Sequence, residues 1–253
     1  MSLTACLFMV ALRRDKVKVE EGTRGYRSMS PISVAIDGPA GAGKSTVAKL
    51  VAERLNFLYI DTGAMYRAVA YLCNKEQVDC SDGAAVSHLL RNHDFRFEEG
   101  HDMNLQVYID GEDVTAHLRN PGVSKLVSLV AALPEVRSRL TEWQRAFAVT
   151  HSVVMDGRDI GTVVLPHATV KVFLTANVEE RARRRLKEYQ EQGFDISLGE
   201  LIQSMAERDR LDSEREVAPL SIADDAVKID STGKTINGVV EEILRLVENA
   251  HVR

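Results

Sequence analysis

Five short runs of branched and aromatic residues recur along the chain, at residues 32–36, 57–60, 153–155, 171–174 and 226–230. Between the runs, apolar residues repeat every three or four positions, as Val47, Leu50, Val51 and Leu55 do. Such spacing is typical of amphipathic helices that pack on a sheet. Because strand and helix patterns alternate, the sequence predicts an α/β fold in which a five-stranded parallel sheet carries helices on both faces.

A different pattern interrupts this alternation. Residues 95–98 and 105–109 alternate apolar and polar positions, and Asp110-Gly111 signals a turn before residues 112–115; together they predict a small inserted antiparallel sheet. We expect helices at residues 64–73, at 122–132 and at 135–150, the last of which Pro134 starts. A further helix is expected from about residue 178, and Ser231-Thr232 are suited to cap a final amphipathic helix at 236–247.

Composition and charge exclude several classes of protein. The chain has 253 residues, of which 45% are hydrophobic and 27% charged, as in ordinary globular proteins. Its three cysteines form no C-x-x-C pair, which predicts reduced thiols and a cytoplasmic location. A net charge of −5 disfavours non-specific nucleic-acid binding. We therefore expect small-molecule partners and neither a nucleic-acid nor a membrane partner.

The first thirty residues differ from the rest. They carry six basic and three acidic residues, so that residues 31–253 hold a net charge of −8. Their apolar run, residues 7–12, is too short to span a bilayer and precedes its positive charges, unlike a signal peptide. Met29 stands just before the first strand pattern. We expect residues 1–30 to be a disordered extension, a cloning remnant or a misassigned start, and residues 31–253 to form the domain.

A complete G-x-x-x-x-G-K-[ST] motif, the P-loop, follows the first predicted strand at residues 38–45. Its glycines allow backbone N–H groups to point at phosphates, Lys44 can bridge the β- and γ-phosphates, and the Ser45 hydroxyl suits Mg²⁺. The strand before the motif and the helix after it argue against a glycine turn without a ligand. ATP or GTP is the expected ligand, and the residues predicted to bind it are Gly38, Gly41, Ala42, Gly43, Lys44, Ser45 and Thr46.

Two further motifs follow later strands: Asp-Thr-Gly-Ala-Met-Tyr-Arg at 61–67 and Asp-Gly-Arg-Asp-Ile-Gly-Thr at 156–162. With the P-loop, they make residues 31–250 resemble the bacterial-type cytidylate kinases. The resemblance implies a P-loop kinase fold and Mg²⁺-dependent transfer of the γ-phosphoryl group of ATP to CMP or dCMP by a monomer. It also implies an acceptor-binding subdomain at about 64–133 and an arginine-bearing lid at about 178–216.

The same resemblance assigns roles to matched positions. The residues it assigns to the acceptor are Thr62, Arg67, Ser128, Arg137, Arg158, Asp159, Arg208, Asp212 and Arg215. It assigns catalysis to Lys44, Arg158, Arg185 and Arg215, ATP contacts to Arg181 and Arg184, and orientation of the magnesium ion to Asp156. Ser128, Arg137 and Asp159 would read the base, because telling cytosine from uracil requires donors toward N3 and O2 and an acceptor toward the amino group.

Each of these side chains also has a plain structural interpretation. Arg67 would be a solvated helix residue, Ser128 a small residue that permits close packing, and Arg158 half of a surface ion pair with a neighbouring aspartate. Residues 177–216 carry eight basic and eleven acidic residues, so they form no polyanion-binding patch. Within that segment, Arg183 and Lys187 are expected to be solvated.

Two rival functions remain at this point. The first is another small-molecule P-loop kinase, one acting on UMP or AMP; the inserted sheet disfavours the short adenylate-kinase plan and shikimate kinase. The second is a regulatory GTPase, which requires a guanine-reading N-K-x-D motif. The Asn74-Lys75 pair is followed by Glu76 and Gln77 and does not match that motif.

Overall fold

The computed structural model describes residues 31–100, 105–191 and 193–251. Residues 1–30, predicted to be an extension, lie outside the described residues. In chain order the elements are β1 (Ser33–Asp37), α1 (Lys44–Leu55), β2 (Leu58–Asp61), α2 (Thr62–Lys75), α3 (Gly83–Asn92), β3 (Phe95–Glu99), β4 (Leu105–Ile109), β5 (Glu112–Asp113), a 3₁₀ turn (Thr115–His117), α4 (Pro121–Ala132), α5 (Pro134–Thr150), β6 (Val153–Gly157), a π-turn (Ile160–Val164), β7 (Val170–Thr175), α6 (Val178–Glu191), α7 (Leu198–Glu214), β8 (Val227–Asp230) and α8 (Ile236–His251).

The main sheet confirms the predicted five parallel strands, in the order β2-β6-β1-β7-β8. Its register sets Asp37 beside Gly157 and Asp61 beside Asp156. Because the strands are parallel, their carboxyl ends meet at one edge, which is where open α/β sheets bind ligands. Three aspartates from three strands are thereby brought to one place.

Both faces of the sheet are covered, as predicted. Val34 and Ile36 belong to the apolar core that α1 and α8 complete, whereas Ala35 between them belongs to the core formed with α2 to α5. This alternation follows from the period of two along a strand. Fully buried side chains such as Ile36 and Leu140 each stabilise the fold by roughly 1.5–3 kcal/mol relative to exposure.

The inserted sheet has three antiparallel strands in the order β3-β4-β5, which confirms the prediction. Its apolar positions face inward, where the rings of Phe95 and Phe97 lie 5.9 and 5.5 Å from that of Trp143 on α5. Pro134 is the first residue of α5, as expected. The helices α3 and α7 were not predicted from the sequence. That residues 64–133 serve as the acceptor-binding subdomain stays a prediction.

A small third core joins α6 to α7 through Ala182, Tyr189, Leu201 and Met205. The helix α7 begins with a capping box, in which Ser197 and Glu200 satisfy each other's backbone N–H groups. That residues 178–216 act as a lid stays a prediction. No helix among the described residues is long and apolar enough to cross a membrane.

The predicted cap of the last helix was wrong. The helix α8 begins at Ile236, and the Thr235 Oγ1 accepts a hydrogen bond from the Gly238 N–H at 3.1 Å. Ser231 and Thr232 lie too far before that turn, and the Ser231 hydroxyl donates instead to the Ala42 carbonyl of the P-loop at 3.1 Å.

Candidate functional site

The P-loop has the backbone that a phosphate cradle requires. Gly38, Gly41 and Gly43 have φ values of 146°, 74° and 91°. A Cβ on Gly38 would lie 1.9 Å from the Leu174 carbonyl oxygen, so no side chain fits there. The Lys44 ammonium is buried and donates to the Pro39 carbonyl at 2.8 Å, which folds the lysine back over the loop. The loop is therefore ready to receive a polyphosphate.

Hydroxyl and carboxylate oxygens meet beside the loop. The Ser45 hydroxyl donates to the Asp156 Oδ2 at 2.9 Å, and the Tyr59 hydroxyl donates to the Asp156 Oδ1 at 2.8 Å. Burial, and after it the negative charge of Asp61, raise the pKa of Asp156 to about 6. Hydroxyl and carboxylate oxygens suit Mg²⁺, and a cation here would offset the cost of the buried carboxylate. Thr46, which directly follows the motif, is exposed.

The cationic side chains of Lys44, Arg158 and Arg208 lie close to one another beside the P-loop. Burial and the charge of Arg158 lower the pKa of Lys44 to about 7. Burial and the same arginine lower the pKa of Arg208 to about 10. The Arg208 Nε has no hydrogen-bond partner among the described residues. Cations that disfavour one another's charge in this way form a site whose positive potential an anion would neutralise.

The motif at residues 61–67 surrounds the same space. Asp61 caps α2 by accepting from the Ala64 N–H at 2.9 Å, and its other oxygen accepts from Arg67 at 2.8 Å. The Thr62 hydroxyl donates to the Asp156 carbonyl at 2.6 Å, which ties α2 to the end of β6. The interpretation of Arg67 as a solvated helix residue does not hold, because its side chain is only 18% exposed and is ion-paired.

A first group of partly buried side chains joins Arg158 at the end of β6, Asp212 on α7 and Ser128 on α4. The Arg158 Nε donates to the Asp212 Oδ2 at 2.8 Å, and the Ser128 hydroxyl donates to the Asp212 Oδ1 at 3.3 Å. Arg158 is thus not half of a surface pair with its sequence neighbours. Three residues that are far apart in the chain converge here.

A second buried group lies beside the first. Arg137 from α5 forms an ion pair with the Asp159 carboxylate, and the Arg215 guanidinium lies 3.4 Å from the other Asp159 oxygen. The Arg137 guanidinium also stands over the ring of Tyr66, 5.5 Å from its centroid. All three members of the pairs are at most 6% exposed. The structure therefore brings two donors and one acceptor together in a buried cluster.

The arginines of α6 contact the P-loop from outside. Arg181 donates to the Ala40 carbonyl at 2.9 Å and pairs with Asp209 at 2.7 Å. Arg184 reaches the Ala42 carbonyl at 3.4 Å and bonds to the Ser231 hydroxyl and carbonyl, both at 3.1 Å.

The remaining basic residues of α6 make no contact with the loop that the structure records. Arg185 donates to Glu188 at 2.7 Å and to the Tyr189 hydroxyl at 3.4 Å, both on its own helix. Arg183 and Lys187 are exposed, as predicted.

Sequence reasoning missed five residues of this region: Asp37, Tyr59, Tyr66, Arg119 and Ser231. The Asp37 carboxylate accepts from the backbone N–H groups of Ile160 and Gly161 at 2.8 and 2.7 Å. Arg119 lines a cavity of about 190 Å³ together with residues of β2 and α2. A signal existed for Asp37, which directly precedes the first glycine of the motif.

Comparison with known proteins agrees with this geometry. The family model for cytidylate kinase matches residues 34–249. The chain belongs to the cytidylate kinase family. It is 49% identical to a cytidylate kinase of Bacillus licheniformis over 217 residues, which cover 86% of this chain and 96% of the relative. A relative from Geobacillus sp. is 51% identical over 216 residues, covering 85% and 96% of the two chains.

A third member of the family, the cytidylate kinase of Bacillus subtilis, is 49% identical over 217 residues, which cover 86% of this chain and 96% of the relative. The range matched by the family model, residues 34–249, includes the main sheet, the insertion and the helices α6 and α7. Family membership confirms the resemblance and the prediction of a kinase. Which side chains bind which substrate stays a prediction.

Proposed function

We propose that this kinase transfers the γ-phosphoryl group of ATP to CMP or dCMP, forming ADP and CDP or dCDP. One observation carries the proposal beyond family membership. The phosphate cradle and the buried Arg158–Asp212 group adjoin one another so closely that the Arg158 charge lowers the pKa of Lys44. A continuous positive region of this kind suits two phosphorylated nucleotides that meet end to end.

On the donor side, backbone N–H groups of residues 38–46 would hold the phosphates of ATP, with Lys44 at the γ-phosphate. Arg181 and Arg184 would support the loop from α6. Ser45 and Asp156 would hold Mg²⁺, which neutralises phosphate charge when bound. The fit of these residues rests on the Gly38 position that a Cβ would fill and on the hydroxyl and carboxylate oxygens of Ser45 and Asp156.

On the acceptor side, cationic residues would hold the monophosphate, and the residues that we assign to it are Thr62, Arg67, Arg158, Arg208 and Arg215. Asp212 would accept from the sugar, together with Arg208. Ser128, Arg137 and Asp159 would read the base, with Asp159 accepting from the 4-amino group of cytosine. Uracil carries a carbonyl there, and its lone pairs would face a buried carboxylate, which disfavours UMP.

The reaction needs no nucleophilic side chain. An oxygen of the acceptor phosphate attacks the γ-phosphorus in line, and the bond to the bridging oxygen of ADP breaks. Lys44, Arg158, Arg185 and Arg215 would neutralise charge on the transferred group and align both nucleotides. Packing of Met205 from α7 against Gly41 supports a role of α6 and α7 in excluding water from the loop.

Partners and location belong to the same proposal. Cys73 and Cys80 are buried free thiols, which supports action in the reducing cytoplasm. We propose that the enzyme acts as a monomer on small molecules alone. Sedimentation of the purified chain would measure its mass in solution.

The test measures ADP formation from Mg-ATP with one acceptor at a time: CMP, dCMP, UMP, AMP, GMP, dTMP or shikimate, with an acceptor-free blank. We expect CMP and dCMP to be phosphorylated and UMP more slowly. A clear preference for UMP or AMP would contradict the assigned acceptor. Turnover that equals the blank with all acceptors would contradict the activity itself.

A further inference from the structure

Asp37 stands outside the roles assigned so far. It is the last residue of β1 and is only 5% exposed. Its two carboxylate oxygens accept from two successive backbone N–H groups, those of Ile160 at 2.8 Å and Gly161 at 2.7 Å. Those N–H groups open the π-turn and have no carbonyl partner within it. Asp37 therefore satisfies both donors from another strand.

The residue just before this turn is Asp159. An aspartate in that position usually folds its own side chain onto the N–H groups that follow it. Here the Asp159 side chain makes no such bond. Its carboxylate instead contacts Arg137 and Arg215 in the buried pocket. Asp37 already occupies the Gly161 N–H, for which the side chain of Asp159 would compete, so the Asp159 carboxylate pairs with the two arginines instead.

The rest of the turn is held independently. Arg145 on α5 donates to the carbonyls of Val164 and Val163 at 2.9 and 2.8 Å, at the carboxyl end. At the other end, a Cβ on Gly161 would lie 3.1 Å from the Lys171 Cδ and 3.4 Å from the Asp37 Oδ2, so the backbone is packed against its neighbours. Loss of the Asp37 carboxylate would leave two N–H groups in place and unpaired.

We propose that Asp37 is a positioning residue for acceptor recognition: by capping the N–H groups of Ile160 and Gly161, it keeps the Asp159 carboxylate turned toward Arg137 and Arg215. The inference rests on the proposed function, in which Asp159 reads cytosine. Without Asp37, the Gly161 N–H is open to the side chain of Asp159, which stands in the N-cap position of the turn. Rotation of that side chain would withdraw the acceptor that distinguishes cytosine from uracil.

The experiment compares Asp37→Ala with the wild-type enzyme by calorimetric titration and steady-state kinetics. We expect the affinity for CMP to fall about tenfold, as for loss of a buried hydrogen bond to a charged group. The affinity for ATP should change by less than about threefold. The ratio of kcat/KM for CMP to that for UMP should also fall about tenfold. Asp37→Asn keeps one acceptor oxygen and should give an intermediate ratio.

A double-mutant cycle separates positioning from general damage. In an Asp159→Ala background, Asp37→Ala should leave the CMP-to-UMP ratio unchanged, because the group through which it acts is gone. A merely structural defect would lower activity with both acceptors in both backgrounds. An Asp37→Ala enzyme with the wild-type ratio, or an effect that persists without Asp159, would overturn the inference.

The matched control is Asp82→Ala. Asp82 also accepts from two successive N–H groups, those of Ala84 and Ala85, both at 3.0 Å, but at the start of α3. It should lower stability and leave the acceptor ratio unchanged.

A crystal structure of Asp37→Ala, or of Asp37→Asn if the alanine variant does not fold, reports on positioning even if the wild-type enzyme proves not to use CMP. An Asp159 carboxylate turned onto the Gly161 N–H supports the inference, and an unchanged contact with Arg137 refutes it.

Discussion

The Arg158 Nε lies 2.8 Å from the Asp212 Oδ2, so the end of β6 is tied to α7 inside the acceptor region. Burial opposes the charge on both groups. Even so, the charge of Asp212 keeps the pKa of Arg158 above its ordinary value, and the charges of Arg158 and Arg208 keep the pKa of Asp212 below its own. The pair is thus ionised, and an incoming phosphate would share an arginine that is already in place.

Replacing Arg158 should separate acceptor use from ATP binding. We expect Arg158→Ala to lower kcat/KM for CMP by about a hundredfold or more, because the arginine stabilises charge on the transferred group. ATP affinity should stay within about threefold of the wild-type value. Steady-state kinetics and calorimetric titration of ATP measure both quantities. Arg183→Ala, which removes an exposed arginine of α6, is the control and should behave as the wild type; equal losses in both variants would contradict the assignment.

The Ser45 hydroxyl should affect the Mg²⁺ concentration that the enzyme needs for activity. Ser45→Ala removes one of the two oxygens that meet beside the loop, so we expect the Mg²⁺ concentration for half-maximal activity to rise about tenfold. The measurement is activity against free Mg²⁺ at saturating nucleotide. Ser87→Ala on α3, where the hydroxyl accepts from Arg91, is the control. A shift of equal size in both variants would argue against a metal at Ser45.

Ionisation of the buried Asp156 carboxyl should lower the free energy of unfolding. Its pKa is raised to about 6, so between about pH 4 and 6 the folded wild type binds a proton that the unfolded chain does not, and its stability falls as pH rises. Asp156→Asn lacks this loss. In magnesium-free buffer, urea unfolding should show the variant gaining stability relative to the wild type from pH 4.5 to 7.5, while its kinase activity falls.

In the control variant for that measurement, stability relative to the wild type should change with pH in the opposite direction. The N–H and hydroxyl of Ser81 lower the pKa of Asp79, so ionised Asp79 stabilises the folded chain. With the scan extended to lower pH, Asp79→Asn should therefore lose stability relative to the wild type as pH rises toward about 4, and show no further change from pH 4.5 to 7.5. If both variants respond to pH in the same direction, burial of Asp156 is not the cause.

Two glycine substitutions should have opposite effects. Gly38→Ala places a Cβ 1.9 Å from the Leu174 carbonyl oxygen at a φ of 146°, and we expect it to destabilise the fold by about 3 kcal/mol or more. Gly199→Ala lies in α7 with nothing within 4 Å of the new Cβ and should stabilise by about 0.5 kcal/mol. Thermal unfolding of both variants measures the difference; a neutral Gly38→Ala would contradict the close approach of β7.

Local signals in the sequence were sufficient for most of the fold. Buried strands can be recognised as short apolar runs in the sequence, and each of the five was placed correctly. The Ser197–Glu200 capping box marks the start of α7 just as plainly but went unused. The cap of α8 was misplaced because Thr232 and Thr235 have the same chemistry, and only the backbone decides which of them stands one residue before the first turn.

The sequence by itself determined the P-loop and the alternation of strands and helices, because these depend on residues that are neighbours in the chain. With the motifs at 61–67 and 156–162, it also carried the resemblance that implied a kinase. Only the tertiary structure decided which distant side chains share a pocket. Arg137, Asp159 and Arg215 come from three segments, and their distances depend on how α5 and α7 pack on the sheet. The capping of Ile160 by Asp37 is of the same kind: it spans 123 residues, and no local pattern encodes a contact that the register of parallel strands creates.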